Sequence, residues 1–520
     1  MEISLARTGV NGKGGFCGLN SGNGLTSGSM QTIGAYMICP DKKEYLYLAS
    51  EYDVVPVYRE ILADTETPVS VLQRFAGNEN AFLLESMEGG EKWGRYSFVG
   101  VDPELLFEVD HSMGRTGRLE QLRDVYKGIR AAEVPGLPRF YGGAVGFMGY
   151  EAVNEFECLP EPKSRFSSVA CRSRFLKADQ LIVFDNVRHT VKLVVCTRPA
   201  EHASAEAAYD DATGKLKKMS DLMDKAPAST PMFKYPEPEF ASNMDEDAYK
   251  SIVSRAKEYI YEGEVIQTVL SQRFRAKVNA APIQLYRSLR LLNPSPYTFF
   301  LKIGEQTLVG SSPEVMVRLT GNKVDLRPIA GTRPRGATEQ EDRKLADELL
   351  ADQKEKSEHV MLVDLGRNDV GRIAEFGSVQ VTEYMVVERY SHVMHMVSQV
   401  EGILKKGLDA YDVIRATFPA GTLTGAPKIR AMEIINELEP EPRGAYGGAV
   451  GYVSYSGNMD LAITIRTLDI EGDIASIQAG AGIVFDSDET REFEETCHKA
   501  EALRKAVEMA ARGLELRSER

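Results

Sequence analysis

The spacing of apolar and polar residues changes character several times along the chain. A helical spacing runs from Lys42 to Leu62, and short strand-like runs then alternate with turns as far as Val195. Helical spacing returns at residues 201–224 and again at 245–262, where the apolar residues share one face. Because the strands are mostly joined by short turns instead of crossover helices, the pattern predicts an α+β fold with largely antiparallel sheets.

Two stretches interrupt this pattern and divide the chain. Residues 1–36 are rich in Gly, Ser and Asn and lack the apolar run of a signal peptide, so we predict a disordered extension, with a transit segment as the alternative. Residues 225–241 are rich in proline, which excludes a helix interior or a central strand and predicts a linker. The prediction is therefore an N-terminal domain at 37–224 and a C-terminal domain at 242–515.

One short sequence occurs twice. Residues 141–147 are YGGAVGF, and residues 446–452 are YGGAVGY. Two copies are too few for a solenoid repeat, so we interpret them as equivalent glycine-rich strands of two sheets packed face to face.

Composition narrows the range of functions. The 520 residues are 43% hydrophobic and 27% charged, as in a soluble globular protein, and the net charge is −14. No basic block interrupts this acidic background, which argues against nucleic-acid binding as the main task. No apolar run is long enough to span a membrane. The six cysteines are scattered without a CxxC pair, which is typical of reduced thiols in a cytoplasmic protein.

Two strand-like segments near the C-terminus carry the most informative chemistry. The first is apolar and ends near a single arginine, Arg466, and the second contains the small residues Gly480, Ala481 and Gly482. A guanidinium is a bidentate charged donor, and small residues let a ligand approach backbone N–H groups closely. Together the segments indicate a binding site for a carboxylate or a phosphate.

The helix that follows these strands contributes candidate metal ligands. Glu492, Glu495 and Lys499 fall at i, i+3 and i+7 and therefore share one helical face. An earlier and mostly apolar helical run contains Glu358, and two glutamates together with substrate oxygens suit Mg²⁺. The alternative for Glu495 and Lys499 is an ordinary surface ion pair.

Three further features have both a functional and a structural interpretation. His395 ends the run HVMH. The absence of HExxH and of a nearby cysteine pair argues against zinc, which leaves either a proton-transfer or hydrogen-bonding role or a satisfied core histidine. Arg367 and Asp369 are assigned to an internal salt-bridge network. Thr424 or Gly425 is predicted to cap a helix, which either presents N–H groups to an anion or is an ordinary cap.

Eight motifs in this order resemble those of the chorismate-utilising enzymes and, among them, of the anthranilate synthase component I family. They are PIAGTRPRG, SEHVMLVDLGRNDVGR, SHVMH, FPAGTLTGAPKIRAMEIINELEP, RGAYGGAVGY, AITIRT, QAGAGIVFDSD and EFEETCHKAEAL. The resemblance implies two large, mainly antiparallel sheets packed face to face, with helices outside and two intertwined subdomains. It also implies an Mg²⁺-dependent lyase that converts chorismate and ammonia to anthranilate and pyruvate, the first step of tryptophan biosynthesis.

The resemblance also assigns roles to individual residues. Glu358 and Glu495 match the glutamates that hold Mg²⁺ in the family, and Glu492 matches a further glutamate of the metal site. The catalytic residues that it implies are Glu314, which matches the acid proposed to protonate the departing C4 hydroxyl of chorismate, His395 and Thr422. The residues implied to bind the substrate are Gly331, Thr332, Tyr446, Arg466, Gly480, Ala481, Gly482 and Lys499.

Two positions separate this chain from related enzymes. The first is Gln267, which matches a position where the water-adding relatives look to carry a lysine base. The second is Ala330, which matches a position where aminodeoxychorismate synthases often carry a nucleophilic lysine. Both differences indicate direct attack by ammonia. The alternatives are an aminodeoxychorismate synthase component I and a tryptophan-binding regulatory subunit without catalytic activity.

The resemblance further implies regulation and a partner. Ser86, Pro296 and Tyr297 match a feedback site for L-tryptophan, which makes residues 37–224 a regulatory domain and residues 242–515 a chorismate-binding catalytic domain. The chain contains no glutaminase half, because no cysteine lies in a glycine-rich nucleophile elbow with a downstream His-x-Glu pair. A separate glutamine amidotransferase subunit is therefore expected to supply ammonia.

Overall fold

The structure of the protein is a computed structural model that describes residues 37–62, 65–86, 94–112, 115–160, 169–225, 233–390 and 393–515. The predicted extension at 1–36, His392 of the HVMH run and part of the predicted linker lie outside the described residues. From Met37 onward the chain forms one compact unit.

Antiparallel strands form the two sheets of the described structure. In chain order they are β1 (Ile38–Cys39), β2 (Val55–Leu62), β3 (Asn80–Glu85), β4 (Tyr96–Gly100), β5 (Glu104–Asp110), β6 (Gly143–Met148), β7 (Arg172–Ala178), β8 (Gln180–Asp185), β9 (Thr190–Thr197), β10 (Ala241–Ser242), β11 (Gln267–Lys277), β12 (Tyr297–Ile303), β13 (Gln306–Ser312), β14 (Val315–Thr320), β15 (Lys323–Leu326), β16 (Ile329–Pro334), β17 (Gln380–Arg389), β18 (Val393–Ile403), β19 (Gly425–Ala426), β20 (Ala449–Ser454), β21 (Met459–Ile463), β22 (Thr467–Glu471) and β23 (Ile474–Ile483).

Helices connect and cover these strands. The α-helices are α1 (Lys42–Glu51), α2 (Pro68–Leu72), α3 (Ala205–Met223), α4 (Glu246–Tyr261), α5 (Pro282–Leu292), α6 (Glu339–Ala351), α7 (Gln353–Ile373), α8 (Ala410–Thr417), α9 (Lys428–Leu438) and α10 (Glu489–Ala511). Short 3₁₀ helices span Arg118–Val125, Tyr150–Glu155, Pro199–Glu201 and Gly421–Leu423.

The first sheet has 13 strands and is shared by both predicted domains. Its order is β1-β2-β9-β8-β4-β3-β12-β13-β22-β23-β11-β10, with β19 beside β11. The two parts of the chain meet where β3 pairs with β12 and Leu83 lies opposite Phe300. The hydrogen-bond ladder across this junction belongs to neither part alone.

The second sheet has ten strands, in the order β16-β18-β15-β14-β21-β20-β6-β7-β5 with β17 beside β18. The two copies of the repeated sequence form β6 and β20, which are antiparallel neighbours with Gly146 opposite Gly451. The prediction that they lie in two different sheets is therefore wrong. A Cβ at either glycine would lie 2.1 Å from a carbonyl oxygen of the next strand, so close backbone packing explains why glycine occurs in both copies.

The largest hydrophobic core lies between the two sheets, as the resemblance implied. Phe98 of β4 contacts Phe140 and Tyr452, with ring centroids 5.2 and 6.2 Å away. Leu83 and Val99 belong to a second core on the other face of the first sheet, which α3, α5 and α10 cover. The alternation of buried side chains along a strand therefore supplies both cores.

The predicted helix from Lys42 to Leu62 is half correct. The helix α1 ends at Glu51, and Val55–Leu62 instead forms β2, which pairs along its whole length with β9. Pro56 lies in this run and cannot donate the backbone hydrogen bond that a helix interior requires. Pairing with a neighbouring strand decided the conformation.

The predicted cap of α9 is also wrong. Pro427 is the N-cap residue, whereas Gly425 and Ala426 form β19 and pair with Thr268 and Gln267 of β11. The backbone just before the helix therefore pairs with β11 in the first sheet. This pairing holds the preceding loop, with Thr422, against the start of β11.

Asp369 is part of an internal ion pair, as predicted, but Arg367 is not. Asp369 of α7 lies 2.6 Å from the Lys428 ammonium of α9, and both side chains are nearly buried. Arg367 pairs with Asp364 on the exposed face of the same helix, at 2.8 Å.

Candidate active site

The two strands predicted to bind a carboxylate lie in different sheets. The strand before Arg466 is β21 of the second sheet, whereas the glycine strand is β23, a neighbour of β11 in the first sheet. Gly480 and Gly482 of β23 lie opposite Ser271 and Val269 of β11 and share one face of the sheet. A Cβ at Gly480 would lie 2.9 Å from the Tyr446 hydroxyl, so only glycine leaves the backbone open at this point.

Gly482 and Ala481 differ in what surrounds them. A Cβ at Gly482 would lie 2.6 Å from the side-chain amide nitrogen (Nε2) of Gln267, a buried residue at the start of β11. Ala481 points to the opposite face and packs in a small apolar core with Tyr249 and Leu270. Ala481 can therefore contribute to the site only through its backbone.

The terminal helix α10 places its predicted polar face against this strand. The Lys499 ammonium donates a hydrogen bond to the Gly480 carbonyl at 2.9 Å and pairs with Glu495 at 2.8 Å. The surface ion pair considered as an alternative is thus present, but its lysine also contacts the glycine strand. Both side chains of the pair are about half exposed, so a ligand can reach them.

Arg466 lies in the bend between β21 and β22 and has a left-handed backbone, with φ of 48°. This conformation is unfavourable for a residue with a side chain and is found where a site fixes the backbone. The N–H of Ser311 donates to its carbonyl at 3.1 Å. The guanidinium is close enough to Glu314 and His395 that its charge lowers the pKa of both.

Glu314 lies between β13 and β14 and is only 6% exposed. The Thr422 hydroxyl donates a hydrogen bond to its Oε1 at 2.7 Å. Burial raises the pKa of Glu314 to about 7, although the Thr422 hydrogen bond and the Arg466 charge act in the opposite direction. A carboxyl group with this pKa can donate a proton near neutral pH.

Gly331, Thr332 and His395 form a second group on the paired strands β16 and β18. A register shift between Ala330 and Thr332 leaves Gly331 as an extra residue with φ of 68°. The buried His395 has its Nδ1 3.0 Å from the Thr332 hydroxyl and 3.2 Å from the Gly331 carbonyl. Burial lowers the pKa of His395, so the imidazole is neutral at physiological pH.

The three predicted metal ligands approach one another but form no closed cage. Within the described ranges, no three His, Cys, Asp or Glu side chains are arranged to hold a metal ion by themselves. Burial, with the charges of Glu355 and Glu495, raises the pKa of Glu358. Burial also raises the pKa of Glu492, and Glu495 adds to this effect. Carboxylates that disfavour one another's charge fit a cation that takes its remaining ligands from the substrate and from water.

Charge interactions act within two groups of the predicted residues. Lys499 and Glu495 of α10 act on Glu358 of α7, while Arg466 acts on Glu314 and His395. The described chain therefore brings the predicted residues together from both sheets and from two helices.

Two residues of the site were missed from the sequence. Glu355 lies one helical turn before Glu358, and its Oε2 is 3.1 Å from the position of a Cβ on Gly331. The i, i+3 spacing on a predicted helix was the available signal. Arg443, buried beneath Tyr446, was also missed, although the i, i+4 spacing to Glu439 was visible.

The three residues predicted to bind tryptophan line one cavity of 430 Å³. Ser86 follows β3, while Pro296 and Tyr297 lie at the start of β12, its partner strand. The Tyr297 hydroxyl donates to Asp460 at 2.9 Å, and Arg318 pairs with the same carboxylate at 2.7 Å. The cavity thus combines aromatic walls with a charged polar group, and neither Glu314 nor Thr422 lines it.

Comparisons with known proteins agree with this arrangement. The profile of one protein family, described as chorismate binding enzyme, matches residues 79–505. Anthranilate synthase component 1 of Pseudomonas putida is 46% identical over 489 residues, which cover 90% of this chain and 99% of that protein. The corresponding protein of Aquifex aeolicus is 44% identical over 491 residues, which cover 90% and 97%.

A solved structure gives the same result for the fold. The crystal structure of anthranilate synthase component I from Streptococcus pneumoniae TIGR4 superposes with a TM-score of 0.70 at 36% identity, covering 85% of this chain and 98% of that chain. The two-sheet fold and the resemblance to anthranilate synthase component I are therefore confirmed. Motifs, fold and relatives agree that the chain belongs to the family of chorismate binding enzymes.

Proposed function

We propose that the protein is the large subunit of an anthranilate synthase, which converts chorismate and ammonia to anthranilate and pyruvate. The observation that carries this proposal is Glu314, a buried acid with a pKa of about 7 that accepts a hydrogen bond from Thr422 beside Arg466. The reaction requires an acid, because hydroxide is a poor leaving group. The high identity to proteins named anthranilate synthase component 1 supports the choice of this reaction.

Chorismate is a dianion, and the site offers matching donors. Arg466 provides a bidentate cation, Lys499 a second cation, and Gly480 and Gly482 an open backbone beside the Tyr446 hydroxyl. With a net charge of −14 on the chain, these local groups have to hold the substrate against the overall field.

In the first step, the nitrogen lone pair of ammonia bonds to C2 of chorismate, the C1=C2 bond moves to C1=C6, the C5=C6 bond moves to C4=C5, and the C4–O bond breaks. Glu314 protonates the departing hydroxyl so that it leaves as water. Thr422 orients this carboxyl group and stabilises its anion after the proton has gone. The new C2 ammonium group then loses one proton to give the amine.

In the second step, the C2 proton is removed, its electron pair forms the C2=C3 bond and the C3–O bond breaks. The ring becomes aromatic, and the side chain leaves as the enolate of pyruvate, which takes up a proton to give pyruvate. His395 is the base that we propose, because the Gly331 carbonyl can accept from its Nδ1–H. Nε2 then carries a free lone pair on a neutral ring.

Glu358 and Glu495 would hold Mg²⁺ with Glu492 close by, and the bound ion would neutralise charge on a substrate carboxylate. We expect Glu495→Gln to abolish turnover and to weaken metal binding in the folded protein. Binding of Mn²⁺, followed by electron paramagnetic resonance with and without chorismate, measures the second effect without turnover. Glu501→Gln, two turns along the exposed side of α10, is the matched control. Unchanged Mn²⁺ binding in the Glu495 variant would remove this carboxylate from the metal site.

The cavity at Ser86, Pro296 and Tyr297 supports feedback inhibition by L-tryptophan. Its volume of 430 Å³ and its aromatic lining suit an indole, and the polar groups around Asp460 suit an amino acid backbone. A glutamine amidotransferase subunit would supply the ammonia, since the name of the relatives as component 1 implies a second component.

The decisive test is an assay of the purified chain with chorismate, Mg²⁺ and ammonium at mildly alkaline pH, with anthranilate detected by its fluorescence. We expect anthranilate and one equivalent of pyruvate, and suppression of both by L-tryptophan. A different aromatic product would assign the chain to another reaction of the family. Anthranilate that forms equally with and without tryptophan would leave the reaction in place and remove the feedback site.

A further inference from the structure

Arg443 is the largest of the fully buried side chains in the described part of the chain. Its guanidinium binds one carboxylate and two backbone carbonyls. It is 2% exposed, and its guanidinium makes a two-point ion pair with Glu439, with Nε 2.9 Å from Oε2 and Nη2 2.7 Å from Oε1. Nη1 donates to the Leu423 carbonyl at 2.6 Å, and Nη2 donates to the Val269 carbonyl at 2.8 Å.

Each of these carbonyls belongs to a segment that carries part of the candidate active site. Leu423 directly follows Thr422, the hydrogen-bond donor to Glu314. Val269 lies in β11 directly opposite Gly482. One guanidinium therefore contacts both the loop that carries Thr422, the hydrogen-bond donor to the proposed acid, and the strand beside the glycine backbone.

The same guanidinium lies under the ring of Tyr446, with its carbon 5.6 Å from the ring centroid. The Tyr446 hydroxyl lies 2.9 Å from the position of a Cβ on Gly480. Stacking on a fixed cation restricts the tilt of the ring and therefore the position of that hydroxyl.

The network that fixes Arg443 is itself closed. Glu439 also accepts from the backbone N–H and the hydroxyl of Ser271, both at 2.8 Å. A buried polar network with satisfied partners is rigid, and a planar guanidinium can bridge several acceptors in fixed directions. A lysine ammonium would keep the charge but could not reach the carboxylate and both carbonyls together.

We infer that Arg443 is a positioning residue that sets Thr422 and Tyr446 in the geometry that the reaction requires, without touching the substrate. This inference deepens the proposed function and rests on it for its kinetic consequences. The structural part, that Arg443 fixes the Leu423 loop and β11, can be measured without any turnover.

The test compares Arg443→Lys with Arg123→Lys in the full chain. Arg123 also forms ion pairs, with Glu120, Asp409 and Asp412, and lies over a tyrosine ring, Tyr411, at 4.7 Å. These partners belong to the 3₁₀ helix at 118–125 and to the start of α8, and none of them is a residue of the candidate site. The Arg123 side chain is 16% exposed, so the control makes the same chemical change in a less buried ion-pair network.

Hydrogen exchange of the backbone amides is the first measurement. Three backbone N–H groups report on this region: that of Leu423 donates to the Ala420 carbonyl, that of Thr424 to the Gly421 carbonyl, and that of Val269 to the Thr424 carbonyl. We expect the exchange of these amides to accelerate at least tenfold in the Arg443 variant only. Unchanged exchange at these amides would overturn the inference, whether or not the wild type makes anthranilate. A wild type without activity would instead contradict the proposed function alone.

Kinetics is the second measurement. We expect a fall of about 100-fold in kcat/KM for Arg443→Lys, because small displacements of reacting groups are costly, and little change for Arg123→Lys. Thr422 and Arg466 are the groups that face Glu314, and a weaker Thr422 hydrogen bond raises the pKa of this acid. The high-pH limb of the kcat/KM profile should therefore move to higher pH, as it should in Thr422→Val. An unmoved limb would mean a structural role only.

If Arg443→Lys does not fold, a double variant keeps the inference testable. Glu439→Gln with Arg443→Met removes both buried charges, a change that is often neutral for stability. We expect a folded protein with the same rapid exchange at residues 421–424. A folded double variant with wild-type exchange and wild-type kinetics would overturn the inference.

Discussion

Glu314 shows how its surroundings set the protonation state of a single residue. It is buried and its one described hydrogen bond to the carboxyl comes from Thr422, so the cost of placing a charge in the interior outweighs the help of one donor and of Arg466. The result is a pKa of about 7 where an exposed glutamate would have 4.5. A proposed general acid is thereby ready to act near neutral pH.

This protonation state makes a prediction for stability. Because the pKa of Glu314 is raised in the folded state, the unfolded chain loses the proton first, and folding becomes less favourable as the pH rises from 4.5 to about 7. Glu314→Gln should remove this penalty. The difference in free energy of unfolding between this variant and the wild type should therefore shift in favour of the variant by about 3 kcal/mol from pH 5 to pH 8. Urea unfolding at both pH values measures it.

The same variant should lose catalysis while gaining stability. We expect kcat to fall by about 100-fold to 10,000-fold, since the acid is removed and the shape is kept. Glu305→Gln, in the exposed turn between β12 and β13, is the control and should change neither quantity. A Glu314 variant whose stability follows the wild type at every pH would show that this carboxyl is not desolvated.

At the scale of elements, the helix α7 shows how the site is held by a contact outside it. The helix carries Glu358 on one face and is fixed at its far end by the nearly buried pair of Asp369 and Lys428. The Asp369 partner belongs to α9, whose preceding loop contains Thr422. The ion pair therefore links the proposed metal side and the proposed acid side.

Removing one partner of this pair should be costly. Asp369→Asn should lower the free energy of unfolding by about 3 kcal/mol or more, because the Lys428 charge stays buried without compensation. Asp364→Asn, on the same helix but in an exposed pair with Arg367, should change it by less than about 0.5 kcal/mol. Equal losses in the two variants, measured by urea unfolding at pH 7, would contradict the assigned role of burial.

Strand pairing forms the cavity that is proposed to bind tryptophan. Ser86 and Tyr297 are far apart in the chain and become neighbours because β3 pairs with β12. Ser86→Ala should weaken inhibition by tryptophan about tenfold, the loss of one hydrogen bond, and leave turnover without tryptophan nearly unchanged. Ser50→Ala, at the end of α1, is the control for a serine outside the cavity. The measurement is an inhibition curve with tryptophan for the wild type and for each of the two variants. Identical curves would exclude Ser86 from the binding site.

At the scale of the whole molecule, the two predicted domains share both sheets. The first sheet is continuous across β3 and β12, and the second across β6 and β20. Separation of the parts would expose four long strand edges and the core between Phe98 and Tyr452. No helix in the described part of the chain combines the length and the apolar character needed to cross a membrane.

Residues 37–224 and residues 242–515 should therefore not fold when each is produced alone. We expect neither piece to give a cooperative thermal transition by circular dichroism, and we expect co-production to restore a folded complex. The full chain from Met37 is the control. A cooperative transition in either isolated piece would show that its sheets close without the other part.

The sequence by itself determined the residue types of the site and their local spacing. Glu492, Glu495 and Lys499 had to share a face once 489–511 was helical, and Gly480 and Gly482 had to share a face once 474–483 was a strand. The apolar pattern also identified α4 to within one residue at each end. These features depend on short-range geometry, which the order of residues fixes.

Only the tertiary structure decided where those faces meet and what protonation states follow. Val55–Leu62 became a strand because β9 offered a partner, and the repeated glycine segments became neighbours because their backbones pack closely in one sheet. Glu314 became an acid with a pKa near 7 because residues far along the chain exclude water from it. Burial, strand pairing and buried charge depend on contacts between distant segments, and no local spacing contains that information.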